Sequence, residues 1–400
     1  MDHSGPATLR VSTPRAEHHD EPFGIGETRP RLSWRVTDAP AGWRQAAYEV
    51  ECADPAGPAA PRRSGRIASA ESVLVAWPFP PLPSRARRAV RVRLWSTDGS
   101  ETGWSPVTVL ETGLLTTADW SARFVTPDDR TLDAPLLRTG FVLRPGIARA
   151  RLYVTALGLY EVELNGERVG DHSLAPGWTS YHHRLRYQSF DVTAALHPGD
   201  NALGAWLAEG WYRGRLGFDG GTGNIYGDRL ALLAQLEVTY TDGTTDTVGT
   251  GPRWRSASGP IRSSGLYDGE HHDARAERPG WSRAGFDDSA WAPVRPLEHD
   301  LSTLVAPLGP PVRCTRELAP SVTSKFPSGR WIVDFGQNLA GRLRIRVRGR
   351  AGQVARLRHA EVLQDGELCT RPLRGAAATD SYTLRGDADE EVWEPRFTVH

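Results

Sequence analysis

At 400 residues the chain is too long for one hydrophobic core and, at about 100–200 residues per domain, reads as roughly two to four domains. Lys plus Arg and Asp plus Glu both number 48, so no net field draws the molecule toward nucleic acid or an anionic membrane, and neither is expected as a partner. Lys325 is the single lysine among these charges, which we read as the mark of a GC-rich coding sequence, so an arginine taken alone carries little functional weight.

Residues Met1 to Pro22 mix His, Asp, Arg and Pro without the apolar run of a secretory signal, and no later stretch approaches about 20 consecutive apolar residues. The expectation is a soluble, cytoplasmic protein. Cys52, Cys314 and Cys369 are widely spaced, with no C-x-x-C, and are expected as reduced structural thiols.

Gly (41) and Pro (30) are spread throughout and apolar periodicity is mostly two, which together predict short strands joined by turns. Residues 1–115 carry strand pieces at Leu32 to Val36, Tyr48 to Cys52 and Val90 to Trp95, closing on Asp98-Gly99 and Gly103-Trp104-Ser105. This ending resembles that of a fibronectin type III domain. A second segment, 135–300, is rich in Trp and Tyr. Its run Leu152 to Leu164 places Tyr160, Val162 and Leu164 on one face before Asn165-Gly166, the dipeptide that best tolerates a tight hairpin turn. Arg168-Val169 would start the return strand. Thr193 to Leu196 is the one candidate helical turn, and Leu236, Val238 and Tyr240 lead into Asp242-Gly243, with Thr244 to Val248 pairing back.

From 310 to 400 a third segment begins. Apolar residues and arginine alternate strictly over Leu343 to Arg348, then Gly349 to Gly352 turns into Val354 to His359. Asp334 to Asn338 sets polar groups beside a strand expected to be buried, with Gly336 at a bend. Trp393 to His400 reads as a strand that breaks off mid-course.

Several ordered motifs carry a resemblance. Tyr153 to Tyr160, Leu164-Asn165-Gly166, Leu174 to Tyr181 and Gly210 to Gly214 closely resemble the N-terminal sandwich of bacterial α-L-rhamnosidases. Asp334-Phe335-Gly336-Gln337-Asn338 with Gly341, Leu357 to Leu363, and Ala378 to Tyr382 are similar to the next module of that family. The resemblance implies an all-β fold of tandem β-sandwich modules. These are a fibronectin type III-like sandwich over 1–115, a jelly-roll, carbohydrate-binding-like sandwich over 135–300, and from 310 to 400 the start of a further sandwich. It also implies a glycoside hydrolase family that cleaves terminal α-L-rhamnosyl groups with inversion, through acidic residues of an α/α barrel that follows the sandwiches.

An inverting glycosidase needs two carboxyl groups about 6.5–9.5 Å apart. No residue here matches the family's catalytic acid or base, so no catalytic residue is assigned. The expectation is a non-catalytic front half, inactive alone, that partners a rhamnose-containing carbohydrate and a barrel lying downstream or on another chain. A standalone carbohydrate-binding protein and a ligand-free spacer stay open beside it.

A pyranose stacks the apolar face of its ring on an aromatic surface while polar neighbours bond its hydroxyls. Trp178, Tyr181, Trp211, Tyr212 and Tyr226 are the candidates, with Trp211 and Tyr212 foremost; the alternative for each is a place in the core. Asp219-Gly220-Gly221-Thr222-Gly223-Asn224 offers oxygen ligands that suit calcium, with Asp219 and Asn224 as candidate ligands, or is a plain surface loop. No cofactor is required, and calcium is the one candidate.

Tyr267-Asp268-Gly269-Glu270 and Asp273-Ala274-Arg275 resemble a family motif near the sandwich rim. There Glu270 and Asp273 would contact sugar or metal, or cap a loop. The pairs His182-His183 and His271-His272 cannot each chelate one zinc ion from adjacent strand positions, and are expected as solvated loop histidines. Asp287-Asp288 and Glu390-Glu391 read as solvated turns.

Overall fold

The computed structural model describes residues 9–57, 59–130, 132–218, 220–326, 329–386 and 389–400. Among them the chain is built of strands, and α-helix is limited to the single turn Gly210–Arg213. The chain divides into two compact units. The first takes in residues up to 120 together with 187–189 and 304–311; the second takes in 121–186, 190–303 and the residues from 312 onward.

In the first unit the alternation at Arg87–Ser96 does what period two requires. Val90, Val92 and Leu94 are fully buried, while Arg91 and Arg93 turn outward and pair with Glu51 and Glu49 directly across on Gln45–Ala53. Trp104 lies under both guanidinium groups, at 4.8 and 4.7 Å. The sheet runs Phe23–Ile25, Thr108–Thr112, Arg87–Ser96, Gln45–Ala53, Arg62–Arg63, and two short ladders face it across a core that includes Ile25, Trp34, Tyr48 and Leu110. The expected strand Leu32 to Val36 is split into Leu32–Ser33 and Val36–Thr37, which pair with different partners, because Trp34 is turned into the core between them.

The second unit contains a long sheet. In order it uses Glu167–Arg168, Leu159–Leu164, Gly199–Ala208, Pro135–Leu143, Arg255–Ser258, Ala292–Pro296, Val125–Pro127, Ala231–Tyr240 and Ile147–Leu157. Its two ends share one core, with Val162, Leu203, Ala205 and Leu207 from one and Leu152, Val154, Leu232, Leu236 and Val238 from the other.

The run Leu152 to Leu164 is therefore two strands. Ile147–Leu157 pairs with Ala231–Tyr240 and Leu159–Leu164 with Gly199–Ala208. Gly158 makes the corner at φ +122°, where a Cβ would lie 2.5 Å from the Ala208 carbonyl oxygen. Asn165 (φ +53°) and Gly166 (φ +89°) form the expected tight turn into Glu167–Arg168. Thr193–Ala195 is a single 3-10 turn, and Asp242-Gly243 leads into Thr245–Gly249.

A smaller four-stranded sheet of the same unit crosses the boundary drawn near 300–310. Ile261–Gly265 and Gly269–Asp273 come from before it, and Thr379–Thr383 and Val354–Arg358 from after it; Gly269–Asp273 lies parallel to Thr379–Thr383. Alternation over Leu343 to Arg348 condenses to Ile345–Val347, paired with Glu391–Trp393.

Three expectations are corrected here. Among the described residues Trp331–Asp334 pairs only with Val322–Lys325, leaving Trp331 65% exposed, so the strand beside Gly336 is not buried. The last residues are no strand beyond Trp393: Phe397 and Thr398 are buried, and His400 pairs its backbone with Gly341. Of the acidic pairs, Asp288 accepts from the buried Arg138 guanidinium, and Glu391 accepts from the Tyr382 hydroxyl and the N–H groups of Arg385 and Gly386. Both are structural partners; Asp287, which caps Ser289 in the open, is a solvated turn residue.

Candidate functional site

The helical turn Gly210–Arg213 directs Trp211 and Tyr212 to different environments. Trp211 is half-buried and lies parallel to Trp178, with ring centroids 6.1 Å apart and planes 5° from each other, in the range of offset stacking. Trp178 is 52% exposed, and its indole N–H donates to the Tyr226 hydroxyl at 3.2 Å. One aromatic face and one polar edge are thus open together, the combination that a sugar ring needs.

Tyr181 and Tyr212 are corrected from sugar contacts to supports. Tyr181 is 1% exposed, sits edge-on to Tyr212 and Tyr226, and donates to the Gly177 carbonyl at 3.0 Å. Burial raises its hydroxyl pKa, as it does that of Tyr212, so both stay neutral. Gly227 is tight against Tyr212, since a Cβ there would approach the hydroxyl to 2.1 Å.

Of the two candidate calcium ligands, Asp219 lies outside the described residues. Asn224 is exposed at φ +59°, with its backbone N–H bonded to the Arg213 carbonyl. Phe218 and Ile225, at 69% and 45% exposure, extend the apolar surface of the same loop.

Glu270 and Asp273 also leave the list of sugar contacts. Asp273 accepts from Arg275 N–H and holds its guanidinium with two bonds of 2.8 Å, capping the turn Ala274–Ala276. Those bonds hold its carboxyl below the usual range. Glu270 has no exposed surface; one carboxyl oxygen accepts from the N–H groups of Arg396 and Phe397 at 3.0 Å each, and the other has no hydrogen-bond partner among the described residues. Burial pushes its pKa up to about 7 against those bonds.

The histidines of His271-His272 are on a strand and not in a loop. They point to opposite faces: His271 outward, His272 inward to stack on Tyr382 and bond Glu277 at 2.9 Å. His183 is exposed, while His182 meets the edge of Tyr226.

Sequence reasoning missed the cluster His359, Asp380 and His400, whose ligand atoms lie within 4.8 Å of one another. Asp380 has no exposed surface, and its oxygens meet His359 at 3.1 Å, His400 at 3.4 Å, Thr398 Oγ1 at 2.8 Å and the Glu270 N–H at 2.8 Å. Burial alone would raise this carboxyl, but the donors carry it well below the usual range. The imidazoles stack at 4.4 Å and address separate oxygens, so the donor set is that of a buried hydrogen-bond network holding a carboxylate rather than an open metal centre. His359 and Asp380 stood in quoted motifs; only the strand register brings them to one place.

A cavity of about 640 Å³ lies on the outward face of the four-stranded sheet. Its carboxylates are Glu209, raised chiefly by burial, and Asp268, lowered by the Arg215 guanidinium. Each is engaged: Arg213 donates to Glu209 at 3.0 Å, and Arg215 holds Asp268 at 2.9 and 2.7 Å.

Three family models match this chain. Residues 146–316 match the α-L-rhamnosidase N-terminal domain, residues 11–116 a Rha78A-like, N-terminal immunoglobulin domain, and residues 324–400 the bacterial α-L-rhamnosidase concanavalin-like domain. The segment with the fibronectin-like ending thus matches an immunoglobulin model.

Among curated relatives, an α-L-rhamnosidase of Streptomyces avermitilis is 34% identical over 570 residues, covering 98% of this chain and 55% of the relative. One from an Alteromonas species is 35% identical, covering 100% of this chain and 45% of the relative. Among solved structures, native α-L-rhamnosidase of Aspergillus terreus superposes with a TM-score of 0.94 at 45% identity, over 98% of this chain and 46% of that one. The Streptomyces avermitilis enzyme complexed with L-rhamnose superposes at 0.92 and 33% identity, over 98% of this chain and 55% of that one. The chain spans about half the length of the relatives it matches.

Proposed function

Since this chain belongs to the α-L-rhamnosidase family, we propose that it is the sugar-holding and structural front portion of a glycosidase acting on terminal α-L-rhamnosyl groups. The observation that carries the sugar-holding part is the parallel pair Trp178 and Trp211, open to solvent at Trp178 and edged by the Tyr226 hydroxyl. Tyr226, which accepts from the Trp178 indole, is held edge-on by Tyr181, itself edge-on to Tyr212, so the polar edge of the platform is fixed before a ligand arrives, which lowers the ordering cost of binding.

We assign holding rather than hydrolysis to these residues for a physical reason. A glycosidase acid must present a proton, and its partner must activate water. Glu209 and Asp268 are tied to Arg213 and Arg215, Asp273 to Arg275, and Glu270 and Asp380 have no exposed surface.

The 570-residue match to the Streptomyces relative takes up 98% of a 400-residue chain, so that relative holds about 180 residues inside the matched span that have no counterpart here. Calcium remains a candidate at the loop bearing Asn224.

The test is a titration of the chain with L-rhamnose, with and without calcium, followed by calorimetry and tryptophan fluorescence. Saturable binding, abolished in Trp178→Ala without a change in unfolding midpoint, is expected from the exposure of that ring. Absence of binding in both conditions, or an unaltered affinity in the variant, contradicts the assignment. Dependence on calcium would implicate the loop.

A further inference from the structure

The sheet that joins Ile261–Gly265, Gly269–Asp273, Thr379–Thr383 and Val354–Arg358 presents a polar outer face with a register that can be followed residue by residue. Ser263 is opposite His271, His271 beside Ser381, and Ser381 opposite Arg356; one step along, Thr379 is opposite Arg358. Side chains alternate along a strand, so Arg356 and Arg358 share a face about 7 Å apart, while Leu357, Asp380 and Glu270 turn inward.

Above this face is the cavity of about 640 Å³, within the roughly 300–1,000 Å³ of small-molecule sites. Gly269 keeps its floor low, at φ +105°, and any side chain there would strike the Thr379 carbonyl oxygen at 2.0 Å. The cavity's charges are unevenly satisfied. Glu209 and Asp268 each have an arginine of their own, whereas Arg356 and Arg358 are exposed and have no acidic or hydrogen-bonding partner among the described residues. An arginine fork matches a carboxylate or sulfate with two parallel bonds, and two forks on one wall favour an anion over a neutral sugar. Ser263, Thr379 and His271 add groups suited to hydroxyls.

We infer that this cavity is a second carbohydrate site, for a saccharide that bears an oxyanion: the carboxylate of a uronic acid or a sulfate ester. Arg356 and Arg358 hold the anion, and Ser263, His271 and Thr379 hold the ring hydroxyls. The site goes beyond the neutral-sugar platform at Trp178 and does not rest on it.

The test is calorimetric titration of the 400-residue chain with D-glucuronate, D-galacturonate, D-galactose 6-sulfate and inorganic sulfate. At least one acidic sugar should bind more tightly than inorganic sulfate and weaken as NaCl is raised. R356A/R358A should lose at least about tenfold in affinity, the effect of removing charge-assisted bonds, and R356K/R358K should recover it only in part. R348A, an exposed arginine outside the cavity, should bind as the parent does. The single variants R356Q and R358Q serve if the double variant unfolds. Which sugar binds identifies the anion. Acidic sugars that bind no better than inorganic sulfate, absence of binding, an unaltered R356A/R358A, or an equal loss in R348A would each overturn the inference. Because L-rhamnose is not a probe here, failure at Trp178 leaves this result readable.

Discussion

Replacing Glu270 by Gln should remove a pH dependence of stability. The carboxyl has no exposed surface, and burial lifts its pKa from 4.5 to about 7. The folded chain therefore keeps a proton that the unfolded chain has released. Its contribution is fully present below pH 4.5 and is lost as pH rises through about 7. At about 1.36 kcal/mol per pH interval of one, the parent should lose about 3 kcal/mol of unfolding free energy between roughly pH 4.5 and 8 relative to Glu270→Gln. The amide keeps an acceptor for the N–H groups of Arg396 and Phe397 and carries no charge to desolvate. Urea unfolding of both proteins across that range, read by the tryptophans of the second unit, measures the difference. Parallel stability curves, or a parent that gains on the variant as pH rises, would refute the account of a desolvated carboxyl.

Two further outcomes follow from the packing. Gly158→Ala should cost about 2–4 kcal/mol, because the corner needs φ +122° and leaves 2.5 Å to the Ala208 carbonyl oxygen; an unchanged urea midpoint would remove the corner's special role. Trp211→Ala, unlike Trp178→Ala, should lose both sugar binding and stability, since Trp211 is half-buried against the cluster that holds Leu159, Trp206 and Phe397. Equal midpoints for the two variants would contradict that division.

Period-two patterning and turn chemistry made the strands legible. Val90, Val92 and Leu94 alternate with outward arginines, and Asn165-Gly166 forms the positive-φ turn that its residue types favour. The corner at Gly158 had one local signal, the glycine itself between Leu157 and Leu159, and what requires it there is the approach of the Ala208 carbonyl oxygen, which the local sequence does not show. Exposure was the harder quantity. Trp178, Tyr181 and Tyr212 have similar local contexts, and tertiary packing alone leaves the first open and buries the others. The parallel pairing of Gly269–Asp273 with Thr379–Thr383 joins residues more than a hundred positions apart, so neither the Asp380 network nor the cavity with Arg356 and Arg358 had a local signature. Compositional arginine abundance masked Arg356 and Arg358, which stand without partners among the described residues.

The central claim is that these 400 residues hold sugar without cleaving it. Its most direct test is turnover of an aryl α-L-rhamnoside by the purified chain, run beside the L-rhamnose titration. The account predicts saturable binding with no release of the aryl group above background. Turnover that disappears in Glu209→Gln would contradict it, and would make Glu209 and Asp268 the acid and base of a working site in the cavity.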